Sequence, residues 1–306
     1  MKLSIIVPCY NEEGVVGLYY NEAIKYIKEC NMDYELIFVN DGSSDNTISD
    51  CLKLKEIDKN VVIVDFSRNF GKEAAMYAGM VTSTGDLVVI MDVDLQDPPS
   101  LLPQMLEAIL KEGYDCAATR RVTRKNEPPV RSFFARKFYK IMGKLSDVPV
   151  VDGARDFRLM TKKYKDAVLS LLERNRFTKG IFPWVGFKTK WFAYENVERV
   201  AGKTKWSFWK LFLYSIDGII GFSTKPLAFS AVAGILSLAV SFVLIILIAV
   251  RRLVFGDPVQ GWASLVCFIT FFSGLQLFCT GISGLYISKI YTEVKHRPIY
   301  IIKEEK

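Results

Sequence analysis

Leu87-Val88-Val89-Ile90-Met91-Asp92-Val93-Asp94-Leu95-Gln96-Asp97-Pro98-Pro99 runs apolar as far as Met91 and then breaks into carboxylates. A short continuous apolar run bounded by turn residues reads as a strand buried on both faces. The pattern recurs outward from this stretch. Leu3–Val7 opens into Pro8-Cys9-Tyr10-Asn11-Glu12-Glu13, Glu35–Val39 into Asn40-Asp41-Gly42-Ser43-Ser44-Asp45, and Val61–Phe66 into Ser67-Arg68-Asn69. Helical segments near Val16–Cys30, Asn46–Leu54, Lys72–Thr82 and Pro99–Lys111 separate and follow these runs. The alternation predicts an α/β domain with a parallel sheet covered on both faces and its functional groups at the carboxyl ends of the strands. No Gly-x-Gly-x-x-Gly and no Gly-x4-Gly-Lys-Ser/Thr loop follows any strand, which argues against a dinucleotide dehydrogenase and a P-loop ATPase.

Asp92 and Asp94 stand two apart after a buried strand, so both can present oxygen to one hard divalent cation, with Gln96 as a neutral third donor. Magnesium keeps several of its six positions for water and substrate phosphate, so one or two protein carboxylates suffice. The same residues also serve as ordinary turn and helix-cap groups. The polar groups at the other three strand ends favour the metal reading.

The chain has 306 residues, 50% apolar and 24% charged, with net charge +7. That excludes a disordered chain and a small disulfide scaffold. At ~150 residues per domain two units are expected. Residues 1–100 carry 8 basic and 17 acidic residues, whereas 101–225 carry 25 and 12, so an acidic front meets a strongly basic middle. Six cysteines with no Cys-x-x-Cys pair, and a single histidine, give no zinc-ligand pattern and read as buried, reduced thiols. The N-terminal run breaks at Pro8, too soon for a signal peptide, and is expected to stay in the cytosol.

Residues 226–250 and 262–288 carry no charge, and at ~1.5 Å per residue each can cross a ~30 Å hydrocarbon core. The polar, turn-rich Arg251–Pro258 between them predicts a membrane hairpin. Lys203, Lys205, Lys210 and Lys225 before the first span, and Lys289, Lys295, His296 and Arg297 after the second, put both ends in the cytosol; Arg251 and Arg252 vote the other way. Trp206–Asp217 interleaves aromatics with few charges, as a helix lying in the headgroup zone does. The expected organisation is a cytosolic domain at 1–205, an interfacial region at 206–225, a hairpin at 226–289 and a cytosolic tail at 290–306. Gly274 and Gly281, seven apart, let a neighbouring helix approach, so a homo-oligomer through the hairpins is expected. No nucleic-acid partner is expected.

The set Ile6–Glu13, Val39–Asp45 and Met91–Pro99, with Asp156-Phe157-Arg158-Leu159-Met160, Gly202–Ser207 and Glu293–Pro298, resembles the polyprenyl-phosphate glycosyltransferases of glycosyltransferase family 2. These include dolichyl-phosphate mannose synthase and the bactoprenol glucosyltransferases. The resemblance covers essentially the whole chain and implies a GT-A nucleotide-sugar-binding domain with a mixed, mainly parallel sheet. By that resemblance Pro8, Tyr10, Glu12, Val39 and Asp41, with Val93, line the nucleotide pocket. Asp92, Asp94 and Gln96 bind Mg2+ or Mn2+ and the donor diphosphate. Arg121, Arg131 and Ser132 meet donor and acceptor phosphates, Arg199 and Lys205 cover the donor, and Asp156 lies at the reacting centre as a base or a steering group, its alternative being an ion pair with Arg155 or Arg158. Trp206 stands where the family's Tyr is expected, and Arg155 where Gly is common.

The implied reaction is inverting transfer of a monosaccharide, glucose from UDP-glucose first, to undecaprenyl phosphate at the inner membrane, giving a lipid-linked donor for cell-envelope glycans. Galactose, an aminosugar, a modified arabinose, or mannose from GDP-mannose are the alternatives. Metal stabilises the departing nucleoside diphosphate. The acceptor, a phosphate monoester with a second pKa near ~6, is largely dianionic at neutral pH and needs no strong base. The protein's task is then to hold two anions together, which accounts for the basic run Arg120, Arg121, Arg124, Lys125, Arg131, Arg136, Lys137, Lys140 and Lys144; cations of this kind also bind anionic headgroups. Two competing readings are a processive synthase, whose Gln-x-x-Arg-Trp-type motif and extra spans are not in the sequence, and a non-catalytic membrane assembly partner.

Overall fold

The computed structural model describes residues 1–122, 151–195, 216–255 and 261–305, with positions 143, 148 and 149. The chain divides into two compact units, Met1–Gly218 with Arg297–Lys306, and Ile219–His296.

In the first unit the apolar runs become β1 (Lys2–Cys9), β2 (Asp33–Asn40), β3 (Val61–Phe66) and β4 (Leu87–Ile90), and the segments between them α1 (Val15–Glu29), α2 (Thr47–Ile57) and α3 (Lys72–Thr82). After β4 come α4 (Leu102–Leu110), β5 (Cys116–Arg121), β6 (Ala154–Thr161), α5 (Lys162–Ser170), α6 (Thr178–Trp184), β7 (Thr189–Tyr194) and β8 (Ile302–Glu305). Among the described residues they form one eight-stranded sheet in the order β7-β5-β6-β4-β1-β2-β3-β8. β4, β1, β2 and β3 are mutually parallel, while β6 runs antiparallel to both β4 and β5. Strand order reverses around β1, whose neighbours are β2 and β4, and ligands of open α/β sheets bind at such switch points.

All four residues of β4 are buried, as are Leu3, Ile5, Ile6 and Val7 of β1. Helix α3 turns a face of Ala74, Ala75, Ala78 and Gly79 to the sheet. A Cβ on Gly79 would fall 2.2 Å from Ile6 Cγ2, so the helix lies directly on β1. At the opposite, amino edge of the sheet, Glu35 is 6% exposed and accepts from Lys2 Nζ (2.6 Å), Ser4 Oγ (2.6 Å) and Thr84 N (2.7 Å). Burial works against its charge, but these donors outweigh it and hold the carboxyl down at about 2. A depressed carboxyl contributes stability above its unfolded pKa and loses it as pH falls through the folded one. Acid titration of the fold is therefore expected to show a loss of at most about 3 kcal/mol between pH ~4.5 and ~2 that is absent in Glu35→Gln.

Two elements differ from the sequence expectation. Residues 297–306, read as a tail, join the first unit: β8 pairs antiparallel with the edge of β3, and Ser67 N donates to Ile301 O at 3.0 Å. Tyr300 stacks on Phe66 at 5.0 Å between centroids, and Arg174 Nε donates to Arg297 O at 2.6 Å. In the second unit the helices are α7 (Lys225–Phe255) and α8 (Trp262–Val294), so Arg251–Phe255, read as part of the connection, continue the first helix. Arginine and leucine are good helix formers, and the breakers Gly256 and Pro258 come only afterwards. Lys225–Leu247 and Ser264–Val294 have mean hydropathy 2.6 and 1.9, long and apolar enough to cross a membrane. A Cβ on Gly274 or Gly281 would meet nothing within 4 Å, so neither is used against α7. All six cysteines are free. Cys9, Cys51 and Cys116 are buried as expected, whereas Cys267 on α8 is exposed.

Candidate active site

The β1 and β2 ends lie side by side, with Pro8 opposite Val39 and Cys9 opposite Asn40. Asp41 N donates to Cys9 O at 2.8 Å. The loops beyond are stitched together: Asn11, at φ 51, receives Ser44 N on its Oδ1 at 2.8 Å, while its own N–H donates to Ser43 Oγ at 2.9 Å and Glu12 N donates to Thr47 Oγ1 at 2.8 Å. Of the residues expected in the nucleotide pocket, Tyr10 is exposed, Pro8 and Glu12 are half-buried, and Val39, Asp41 and Val93 are buried.

Asp41 has a structural task. Its carboxylate accepts from Phe70 N at 2.6 Å and Gly71 N at 2.9 Å, pinning the loop after β3. Burial raises its pKa, only partly offset by those two amides and by Arg68. Gly42, at φ +61, lets that loop close: a Cβ there would sit 2.3 Å from the carbonyl carbon of Arg68. A left-handed non-glycine residue alone costs about 1–2 kcal/mol. Gly42→Ala, which must also push back residues 68–69, is expected to lower the melting temperature by about 5 °C or more, read by a thermal scan of the purified chain.

The loop that Asp41 pins delivers Lys72, the first residue of α3, to the end of β4. There Asp92, Asp94 and Gln96 are half-buried and alternate with buried Val93, Leu95 and Asp97. Leu95 holds φ 55, a conformation uncommon for leucine and the kind of strain that functional turns retain. Lys72 Nζ lies 2.6 Å from Asp92 Oδ1, 2.8 Å from Asp92 Oδ2 and 2.5 Å from Asp156 Oδ2. Arg155 Nε donates to Asp97 Oδ1 at 2.8 Å, and its Nη2 approaches Asp92 Oδ2 at 3.9 Å. Tyr194 OH also donates to Asp97, which is 1% exposed. Burial raises the Tyr194 phenol and Asp97 raises it further, against Arg155 and Arg121. Burial would likewise push Asp156 up, but Lys72, with Lys179 and Arg155, overrides it and holds the carboxyl well below the usual carboxylate range. Lys72 is correspondingly raised: Asp156 and Asp92 outweigh the cost of burying its charge.

The structure thus brings Asp92 and Asp156 together on one ammonium, with Asp94 and Gln96 on the same stretch; Gln96 N donates to Asp94 Oδ1 at 3.2 Å. Arg121 ends β5 opposite Tyr194 and is half-buried, whereas Arg120 is exposed, which puts Arg121 on the side of the cluster. Arg131, Ser132, Arg199 and Lys205 lie outside the described residues, as do Arg124, Lys125, Arg136, Lys137, Lys140, Lys144 and Trp206. Sequence reasoning missed Lys72, Lys179 and Tyr194, gave Asp97 no role, and offered Arg155 only as a partner for Asp156. One signal was available for Lys72: a lysine in the first turn of a helix opposes the helix dipole and needs another reason to be there.

Among the described residues no three His, Cys, Asp or Glu side chains converge as a finished metal cage. The donor set nonetheless fits a hard divalent ion. Two carboxylates and an amide oxygen occur on one short stretch, and the ammonium on both oxygens of Asp92 is a stand-in that marks a cation position.

Residues 4–169 match Glycosyl transferase family 2. A Bactoprenol glucosyl transferase of Shigella phage SfV is 40% identical over 306 residues, covering 100% of this chain and 99% of its own. An uncharacterized glycosyltransferase of Bacillus subtilis (strain 168), YkcC, is 40% identical over 304 residues, covering 99% and 94%. Among solved structures, glucosyl-3-phosphoglycerate synthase from Mycobacterium tuberculosis superposes with TM-score 0.49 at 18% identity, over 72% of this chain and 77% of that one. On the family match and the full-length relatives, this chain belongs to glycosyltransferase family 2, and its mixed, mainly parallel sheet is the GT-A-like fold of a glycosyltransferase.

Proposed function

We propose that the chain transfers glucose from UDP-glucose to a polyprenyl phosphate, with inversion, at the cytosolic face of the inner membrane. The convergence of Asp92 and Asp156 on Lys72 beside Arg155 supports this most, because it provides carboxylates for a cation and fixed positive charge for phosphates at one strand end. The name of the phage relative supports the lipid acceptor and the glucose. The uncharged runs 226–250 of α7 and 262–288 of α8, with lysines before the first and after the second, support the membrane setting.

In this reading Pro8, Tyr10, Glu12 and Val93 border the nucleotide, and Asp41 acts through the loop it pins. Asp92 and Asp94, with Gln96, hold Mg2+ or Mn2+, which supplies charge neutralisation to the departing diphosphate. Arg121, with Arg131 and Ser132, holds the acceptor phosphate, and Arg199 and Lys205 close over the donor. A phosphate oxygen of the acceptor attacks the anomeric carbon, the bond from that carbon to the donor's β-phosphate oxygen breaks, and UDP leaves with the electron pair. No proton need be removed from a dianion. Asp156, held ionised by its cations, is therefore a steering group, not a base. Positioning two anions against their repulsion is what the fixed charges contribute. Gly274 and Gly281, unused within the hairpin, support self-association of the chain through α8.

A panel of labelled nucleotide sugars offered to the purified chain with undecaprenyl phosphate tests the donor. UDP-glucose is expected to give the highest kcat/KM. Preference for another UDP-sugar or for GDP-mannose would replace the sugar and leave the acceptor reading intact.

A further inference from the structure

Arg155 Nη2 stands 3.9 Å from Asp92 Oδ2, and the closer cation on that carboxylate is Lys72. Its ammonium touches both Asp92 oxygens, at 2.6 and 2.8 Å, and also reaches Asp156 at 2.5 Å. An ammonium is a compact point charge, and a divalent ion placed on the same carboxylate would sit within a few ångströms of it and be strongly repelled. Lys72 keeps 38% of its side chain exposed, so it has solvent to move into. Its backbone, by contrast, is fixed, because Asp41 grips the two preceding amides. The anchored backbone and the partly exposed side chain describe a group that exchanges partners without moving its helix.

We infer that Lys72 is the resident counter-cation of Asp92 and is exchanged for the divalent ion when the donor arrives: the ammonium gives up Asp92, keeps Asp156, and turns its freed N–H donors to a phosphate oxygen of a reactant. The inference rests on the reading that Asp92 and Asp94 take a divalent ion together with a nucleoside diphosphate. Before the donor binds, the ammonium keeps neighbouring carboxylates from repelling one another. Afterwards the diphosphate brings the negative charge that lets ammonium and divalent ion share the site. Metal and nucleotide then bind cooperatively, and by linkage each strengthens the other equally.

The test is Mn2+ binding to the full chain in detergent, followed by electron paramagnetic resonance with and without UDP. The wild type is expected to bind Mn2+ weakly alone and about tenfold or more tightly with UDP. Lys72→Met is expected to bind Mn2+ alone about tenfold more tightly than the wild type, with the effect of UDP reduced by the same factor. Lys72→Arg, which keeps the charge, is expected to stay near the wild-type value. Asp156→Asn, which leaves the ammonium to Asp92, is expected to weaken Mn2+ binding without UDP. Unchanged or weaker Mn2+ binding by a folded Lys72→Met overturns the exchange. Should that variant not fold, unchanged or tighter binding by Asp156→Asn overturns it instead. A wild type that takes no Mn2+ even with UDP overturns the underlying metal reading as well, whereas Mn2+ binding with UDP and no Lys72 effect overturns the exchange alone.

Discussion

Asp94→Ala is expected to lower sugar transfer by about 10²–10³-fold while leaving the melting temperature within about 2 °C of the wild type. The two halves of this expectation come from the same geometry. Asp94 is half-buried and lies on the accessible face of the turn, between buried Val93 and Leu95, so its loss opens no cavity. In the proposed reading its carboxylate is one of two that hold the divalent ion facing the departing diphosphate, and losing such a group acts on the transition state more than on substrate binding. The fall should therefore appear in kcat, with a smaller change in the KM for the nucleotide sugar. Transfer at the wild-type rate by Asp94→Ala would remove this residue from the metal site. Asp97→Ala, three residues further on, should behave differently. Asp97 is 1% exposed and holds Arg155 and Tyr194, so its removal leaves a half-buried guanidinium without its hydrogen-bonded carboxylate and a buried cavity beside Tyr194, and should lower the melting temperature clearly.

Asp156→Asn separates steering from base catalysis. Lys72, Lys179 and Arg155 overcome the burial of Asp156 and hold it ionised, and a carboxylate stabilised that far is a poor proton acceptor. Transfer by Asp156→Asn is expected to fall by about 10–100-fold because Lys72 loses a partner and its placement. The acid limb of the pH profile should stay near pH ~6 in both proteins, because it belongs to ionisation of the acceptor phosphate. A base would give the opposite pattern: the limb would vanish with Asp156, and added small carboxylates would restore rate.

The parallel half of the sheet was legible because its strands are apolar on both faces and its functional groups follow them directly. Leu87–Met91 and the carboxylates after it needed nothing more than burial and the switch-point rule to be placed. The remaining strands were harder. Ile302–Glu305 alternates no apolar face and carries three charges, so nothing in its composition marks it as a partner for β3; the pairing comes from an edge with free backbone groups and from Tyr300 finding Phe66. The end of α7 was misjudged because Arg251 and Arg252 are polar, and polarity ends a membrane span but not a helix.

The site divides in the same way. Asp92, Asp94 and Gln96 are close in sequence and were legible together. Lys72 lies 20 residues from Asp92 and 84 from Asp156, and the three meet only because β6 inserts antiparallel between β4 and β5 while α3 lies on β1. Arg155 was read as a departure from its family and as a partner for Asp156; its place between Asp97 and Asp92 shows it occupied with strand-end carboxylates. Asp41 was expected to face the nucleotide, and its grip on Phe70 and Gly71 ties that strand end to Lys72.

Phosphorus NMR of the acceptor lipid tests the central claim most directly. The purified full chain is incubated with UDP-glucose, undecaprenyl phosphate and magnesium, and the lipid phase is then titrated across neutral pH. Conversion of the titrating monoester signal into a diester signal that no longer shifts near pH ~6, blocked by a chelator, is the predicted result. A monoester that persists while UDP and free glucose accumulate, or while UDP-glucose remains intact, would contradict transfer to the lipid phosphate.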